Sequence, residues 1–321
     1  MIAKQGHLNS ITLIRSIAAP LVLILHINFV INLHSIELVN HFIRIGNVGV
    51  YMFFIVSGFV LPYSLYKTDY TLSGFRKYFV KRSLRIDIPY WCMLIVWYIF
   101  LKEIFSPGNL KELSYHIFYL VPFIPGSYWF DGAYWTLPVE MEFYILLGLL
   151  YPLLIKAKPY ATLLALLSVS MLCVFFINGD RGILFCNMNF AYFSIGIILF
   201  KVYIKHIDIK LAIIAIAPII VYIAIFVSLR LGVTICLATL VILFLKIARL
   251  PSVIKFLATI SYSLYLTHNK VLNFFIEYVS RYNLNQYILF VLTILICLIA
   301  AYMFYWLVER PALMLSKKIL K

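Results

Sequence analysis

The chain reads as an all-α polytopic membrane protein of about ten transmembrane helices, with both termini in the cytoplasm. Three observations lead there. Of 321 residues 64% are hydrophobic and 12% charged, with a mean hydropathy of +1.00; a soluble body of this length needs far more charge on its surface. Apolar runs recur along the whole chain at roughly 17–25 residues, the length that crosses ~30 Å of hydrocarbon as helix. The cations are also one-sided: with the N-terminus inside, twenty of the 27 lysines and arginines fall on the inner side, as the positive-inside rule requires.

The apolar runs are 11–33, 46–66, 88–105, 136–155, 160–178, 187–203, 210–228, 231–248, 254–276 and 286–308. They lack the polar–apolar alternation of membrane β-strands, so the chain is helical. The stretch 111–125 is apolar but short, and Pro122 and Pro125 interrupt it; it reads as an interfacial or re-entrant helix, with an eleventh crossing as the alternative. Inner cations run from Lys4 and Arg15, through the six between Lys67 and Arg85, to Lys317, Lys318 and Lys321. Arg44, Lys102, Lys111, Arg181, Arg230 and Arg281 lie outside, and Lys270 lies within a span. The net charge of +15 is therefore a topology signal, and nucleic-acid binding, which needs a soluble basic domain, is excluded. Cys92, Cys173, Cys186, Cys236 and Cys297 show no paired spacing, which excludes a metal cluster or a disulfide framework. The first span is too long for a signal segment and is expected to stay as an anchor. The expectation is one transmembrane domain over residues 1–321.

Ionisable groups inside the spans carry the functional signal. Arg15 and His26 are eleven residues apart, within about 20° of three full turns, so they share one helix face about 16 Å apart. Side chains of this kind at depth normally face a bundle interior or a watery cavity. Arg15 alone would also fit a snorkelling cation, and His26 alone a hydrogen-bonded core imidazole. In "YWTLPVEMEFY" Trp135 opens the fourth span from outside with Glu140 just below it; Glu142, two positions on, lies on a different face. "SYSLYLTHNKV" carries His268 and Lys270 into the outer half of the ninth span, and "VSGF" puts Ser57 and Gly58 near the middle of the second. For Gly58 close helix packing is the simpler role. The inner loop ending "KRSLRIDIPYW" sets Lys81, Arg82 and Arg85 immediately before the third span. A basic inner loop can be topology alone, yet Arg82 and Arg85 at i, i+3 also suit a multivalent phosphate.

These segments, in this order, resemble the membrane-bound acyltransferase-3 family of O-acyltransferases that modify surface carbohydrates. The residues that carry the resemblance are Arg-x10-His (Arg15, His26), "GVYMFFIVSGFVL", "KRSLRIDIPYW", "YWTLPVEMEFY", "SYSLYLTHNKV" and "VERPAL". It implies transfer of an acyl group, usually acetyl, from cytoplasmic acyl-CoA to an extracytoplasmic hydroxyl, with Arg15 and His26 as the essential pair. It associates Arg82 and Arg85 with donor binding. On this reading Lys81, Arg82 and Arg85 grip the CoA phosphates and Arg15 guides the entering chain. His26 is the general base, or alternatively a nucleophile, with Glu140 orienting it. Ser57, His268 and Lys270 are candidate oxyanion donors, and Trp135 belongs to the cavity or acceptor side. No bound cofactor is implied; acetyl-CoA is the donor substrate. The acceptor is a carbohydrate or glycolipid such as O-antigen or exopolysaccharide, and the site of action is the cytoplasmic (inner) membrane. The rival readings are a polysaccharide or small-molecule transporter or flippase, in which paired broken spans and inverted repeats are common, though no motif is duplicated between the two halves, and a non-catalytic membrane scaffold or subunit of a surface-polymer complex.

Overall fold

A computed structural model describes residues 2–31, 42–43, 45–99, 107–176, 182–186, 188–282 and 284–318. The ends of the expected spans at 32–33, 100–105, 177–178 and 187 lie outside the described residues, as do Arg44, Lys102, Arg181 and Lys321. Among the described residues the chain is helical throughout, with no strand.

The helices are α1 (Ile2–Ile31), α2 (Val48–Tyr66), α3 (Phe75–Ile99), α4 (Pro107–Ile117), α5 (Thr136–Lys156) and α6 (Pro159–Phe176). There follow α7 (Asn189–Tyr203), α8 (Ile209–Tyr222), α9 (Leu229–Phe244), α10 (Ser252–Val279), α11 (Gln286–Phe304) and α12 (Arg310–Lys318). Each apolar run coincides with one of them. Among the described residues five segments are both long and apolar enough to cross a membrane: Leu8–Ile31, Val48–Tyr66, Thr136–Lys156, Ile209–Val227 and Gln286–Lys318. The α6, α7 and α9 helices are apolar but shorter, while α3 and α10 dilute their apolar faces with charged and polar residues.

Two features differ from the sequence expectation. The cations Arg76, Lys77, Lys81, Arg82 and Arg85 belong to α3 itself, not to a loop before it. No proline or glycine lies between Phe75 and Ile88, and the helix continues through Pro89, so the basic stretch and the apolar one form a single element. The segment 111–125 splits: α4 ends at Ile117, Tyr119 adopts a positive φ of 59°, and a single turn at Val121–Phe123 leads into an irregular loop. At 1.5 Å per residue α4 is about 16 Å long, too short to cross a bilayer.

The core is built on the closest helix pair, α2 and α7. A Cβ on Gly58 would collide with the Phe193 carbonyl oxygen, and one on Gly196 with that of Ile55. Only glycine at both positions lets the backbones meet. Phe54 and Phe143 stack on either side of Phe193, with ring centroids at 4.7 and 4.1 Å. Against this core α1 packs between α2 and α10, α11 lies on α10, and the chain returns through α12 onto α3. A π-helical turn, Tyr305–Glu309, joins α11 to α12 and ends in the buried Glu309. Such turns offset a side chain from the regular helix face. Here the offset brings the Glu309 carboxylate to accept the Ser263 hydroxyl of α10 at 2.5 Å.

Candidate functional site

Helices α1, α2, α3, α5 and α10 surround a cleft of about 840 Å³, open mouth included. Its polar lining is Arg15, Ser57, Arg82, Arg85, Glu140 and Ser261, and its walls include Phe54, Leu137, Tyr144, Tyr262 and Tyr265. The Arg15 guanidinium donates to Ser261 Oγ at 2.8 Å, and Ser261 in turn donates to the Ala258 carbonyl. Arg82 donates to Ser64 Oγ at 3.1 Å and lies 5.8 Å from the Tyr144 ring centroid. Glu140 accepts the hydroxyl of Tyr144, one helical turn further along α5, and lies within electrostatic reach of Arg82, Arg85 and Arg15. Glu309 reaches Arg85 and Arg15 from the other side. Three guanidiniums thus face two carboxylates in a mostly apolar cleft, leaving net positive charge and N–H groups suited to an anion.

A second polar group lies further along α1. His26 and His268 meet edge to face with ring centroids 4.7 Å apart, so α1 touches α10 twice: Arg15 at Ser261 and His26 at His268. Residue numbers rise in the same sense at both contacts, so the two helices are parallel. His26 Nδ1 donates to the Val22 carbonyl at 2.8 Å, which fixes the neutral ring with its lone pair on Nε2. His268 Nδ1 donates to the carbonyls of Tyr265 and Leu264 at 2.7 and 3.0 Å. Its Nε2 is buried with no hydrogen-bond partner.

Asp131, in the loop before α5, completes this group. Its Oδ1 accepts the Ala133 N–H at 2.8 Å and the Asn269 side-chain N–H at 2.5 Å, while Oδ2 is buried and without a partner. Burial pushes the Asp131 carboxyl above its ordinary value, opposed by those two hydrogen bonds and by the charges of His26 and Lys270. Lys270 Nζ lies 3.9 Å from the Trp97 ring centroid and 4.9 Å from that of Phe274. The loop is held by His116, which is buried. Its Nδ1 faces the Tyr90 hydroxyl at 3.0 Å, and its Nε2 accepts the Phe130 N–H at 3.1 Å with the Tyr128 carbonyl 3.2 Å away. Burial lowers the His116 pKa from 6.5 to about 4.

Tyr265 separates the two groups. It lines the cleft, its hydroxyl bonds to Thr136 Oγ1 at 2.6 Å and to the Ala133 carbonyl, and its ring centroid is 6.1 Å from that of His268.

With this geometry in hand, the comparisons with known proteins decide one point. The family model described as an acyltransferase domain, acyltransferase-3, matches residues 8–306. The chain belongs to the acyltransferase-3 family. No curated protein and no solved structure matches it significantly.

Of the residues singled out in the sequence, this acyltransferase-family chain gathers Arg15, Ser57, Arg82, Arg85 and Glu140 at the cleft, and His26, His268 and Lys270 at the second group. Lys81 is half-buried on α3 and does not line the cleft; Trp135 packs edge-on against Phe54 at 6.1 Å. Glu142 turns away and accepts the Leu184 N–H at 3.2 Å. Glu140 lies among arginines, while Asp131 is bonded to Asn269, the residue after His268. Asp131, Asn269, Tyr265 and Glu309 escaped the sequence reading. The clue for Asp131 was "DGAYWT": an Asp just ahead of a helix start commonly caps a local turn, as its bond to Ala133 N does. Among the described residues no three His, Cys, Asp or Glu side chains are placed to hold a metal ion.

Proposed function

We propose that this member of the family is a membrane O-acyltransferase that moves an acyl group, acetyl in the first instance, from cytoplasmic acyl-CoA to a hydroxyl of an extracytoplasmic carbohydrate. The reading takes the chain as one domain of ten spans in the cytoplasmic membrane with both termini inside. Parallel α1 and α10 support it, because spans one and nine of that topology run the same way.

One observation carries the proposal. A single face of α1 presents Arg15 to a cleft with Arg82 and Arg85, and eleven residues further presents His26 to His268. An acyl thioester is made and confined on the cytoplasmic side and the glycan lies outside, so the catalyst must hold phosphates at one end and activate a hydroxyl at the other. Arg82 and Arg85 supply the phosphate contacts, with Lys81 adding charge on the same helix. The pantetheine arm then runs past Arg15 and Glu140 over the roughly 16 Å between Arg15 and His26. His26 Nε2, with its lone pair fixed by the Val22 bond, takes the hydroxyl proton as the oxygen attacks the thioester carbonyl.

Neutral His268 has no hydrogen on Nε2, because its proton is committed to two backbone carbonyls. It is therefore unfit as an oxyanion donor, and Ser57 lines the cleft with the arginines. The test is turnover of labelled acetyl-CoA by the purified protein in lipid nanodiscs, with transfer to a methyl glycoside as a hydroxyl probe. Turnover that disappears in His26→Ala supports the reading. Unchanged turnover in that variant, or none in the parent chain, refutes it.

A further inference from the structure

We infer that Asp131 is the positioning carboxylate of the hydroxyl-activating group, the charge partner that holds and stabilises His26 when it carries a proton. The inference rests on the reading of His26 as base and extends it to a loop residue outside the spans.

The geometry has three parts. First, the group presents acceptors: His26 and His268 both spend Nδ1–H on backbone carbonyls, leaving lone pairs on Nε2, and Asp131 Oδ2 is buried and unpartnered. Such a group recognises an O–H donor and stabilises positive charge. Second, Asp131 is fixed in place. Asn269, the residue after His268, clamps Oδ1 at 2.5 Å, and Ala133 N holds the same oxygen at 2.8 Å. Asn269 follows His268, whose ring meets that of His26, so the clamp brings the Asp131 carboxylate to the same turn of α10 as the histidine pair, with Oδ2 buried and unpartnered. Third, the neighbours are accounted for on each side. The α1 helix contributes His26; α10 contributes His268 and Lys270, the latter held over the α3 residue Trp97; and the Cys297 thiol of α11 contacts the His268 carbonyl at 3.9 Å. Lys270 and, once it carries a proton, His26 are the groups whose positive charge acts on Asp131.

In the reaction the acceptor oxygen bonds to the acyl carbon and its proton passes to His26 Nε2. The carbon–sulfur bond breaks with its electron pair leaving on the thiolate, and His26 returns the proton to that sulfur. Between the two proton transfers His26 is an imidazolium, and the Asp131 carboxylate offsets its charge.

The test variant is Asp131→Asn, which keeps Oδ1 as acceptor for Ala133 and Asn269, removes the charge and replaces Oδ2 with an uncharged NH2 group. Transfer from acetyl-CoA to a methyl glycoside is expected to fall roughly 30–100-fold in kcat at pH 7 with the donor KM unchanged. The acid limb of the pH–rate profile is expected to move to lower pH by about one unit, because an imidazolium without its anion gives up the proton more readily. A second readout needs no turnover: the ¹⁵N-histidine NMR titration of His26, assigned through His26→Gln, should shift in the same direction. Asn269→Ala, which loosens the clamp, should give a smaller shift of the same sign. A His26 titration in Asp131→Asn within 0.2 unit (about the reading error) of the parent overturns the inference. A shifted titration in a protein that never turns over acetyl-CoA upholds the Asp131–His26 pairing and removes the acyl-transfer reading instead.

Discussion

Along one face of α1, Arg15 meets Ser261 at 2.8 Å, and eleven residues on His26 meets His268 with ring centroids 4.7 Å apart. The cleft around the first contact offers N–H groups from three guanidiniums; the group around the second offers lone pairs on two imidazoles and a carboxylate. A cleft rich in donors suits the phosphates of an anionic substrate, and one rich in acceptors suits a hydroxyl. The difference teaches how one helix can present two chemically opposite groups: the backbone sets the spacing, and hydrogen bonds to neighbouring carbonyls leave lone pairs at one end while guanidiniums supply N–H groups at the other.

The largest expected effect separates the two ends outright. His26→Ala should lower kcat by about 10²–10⁴-fold, the ordinary contribution of a general base, while calorimetric binding of CoA stays within about twofold. Loss of CoA binding together with turnover would break the comparison, because the histidine would then belong to the donor side.

The next effect bears on the loop that carries Asp131. Neutral His116 accepts the Phe130 N–H, and its pKa in the folded chain is about 4 against 6.5. Between those values the unfolded chain binds a proton that the folded chain does not. The stability this site contributes is therefore complete above pH 6.5 and is lost as the pH falls towards 4, at most about 3 kcal/mol. Thermal unfolding in nanodiscs should show this acid slope, and His116→Asn should flatten it. An unchanged slope would show that the loop is held by other groups.

Donor-side changes come third. Arg82→Ala or Arg85→Ala should raise the acetyl-CoA KM roughly 10–100-fold, the value of one charge-assisted contact, and leave kcat at saturating donor within about threefold. A fall in kcat without a change in KM would move that arginine from phosphate binding to the chemistry.

Much of this arrangement is written in helical periodicity. The apolar runs located the helices, and the eleven-residue spacing put Arg15 and His26 on one face because α1 stays one continuous helix from one to the other, through Pro20. The sequence reading treated the basic stretch before the third span as a loop because of its charge, yet charge does not end a helix, and α3 runs from Phe75 through Pro89 to Ile99. Asp131 and Asn269 were not legible because their meeting depends on how an irregular loop closes over α10, a contact with no period in the sequence. Glu309 sat in a quoted motif, yet its approach to Ser263 needs a π-helical turn that regular helix spacing does not foresee.

The smallest effect tests whether the two ends are coupled. Tyr265 is the side chain between them, with its hydroxyl on Thr136 and the Ala133 carbonyl and its ring facing His268. Ala133 is two residues from Asp131 and its N–H bonds that carboxylate, so the hydroxyl ties the cleft wall to the turn that holds the charge partner. Tyr265→Phe keeps the ring and removes that tie, at a cost of about 1 kcal/mol. If the tie aligns donor and acceptor, kcat should fall about fivefold with CoA affinity and the His26 titration both unchanged. A shifted titration would mean that Tyr265 acts by positioning Asp131, and a changed CoA affinity that it belongs to the donor cleft alone. The double variant Tyr265→Phe/Asp131→Asn distinguishes the first case from independent action, since residues acting through one contact lose less together than the sum of their separate losses.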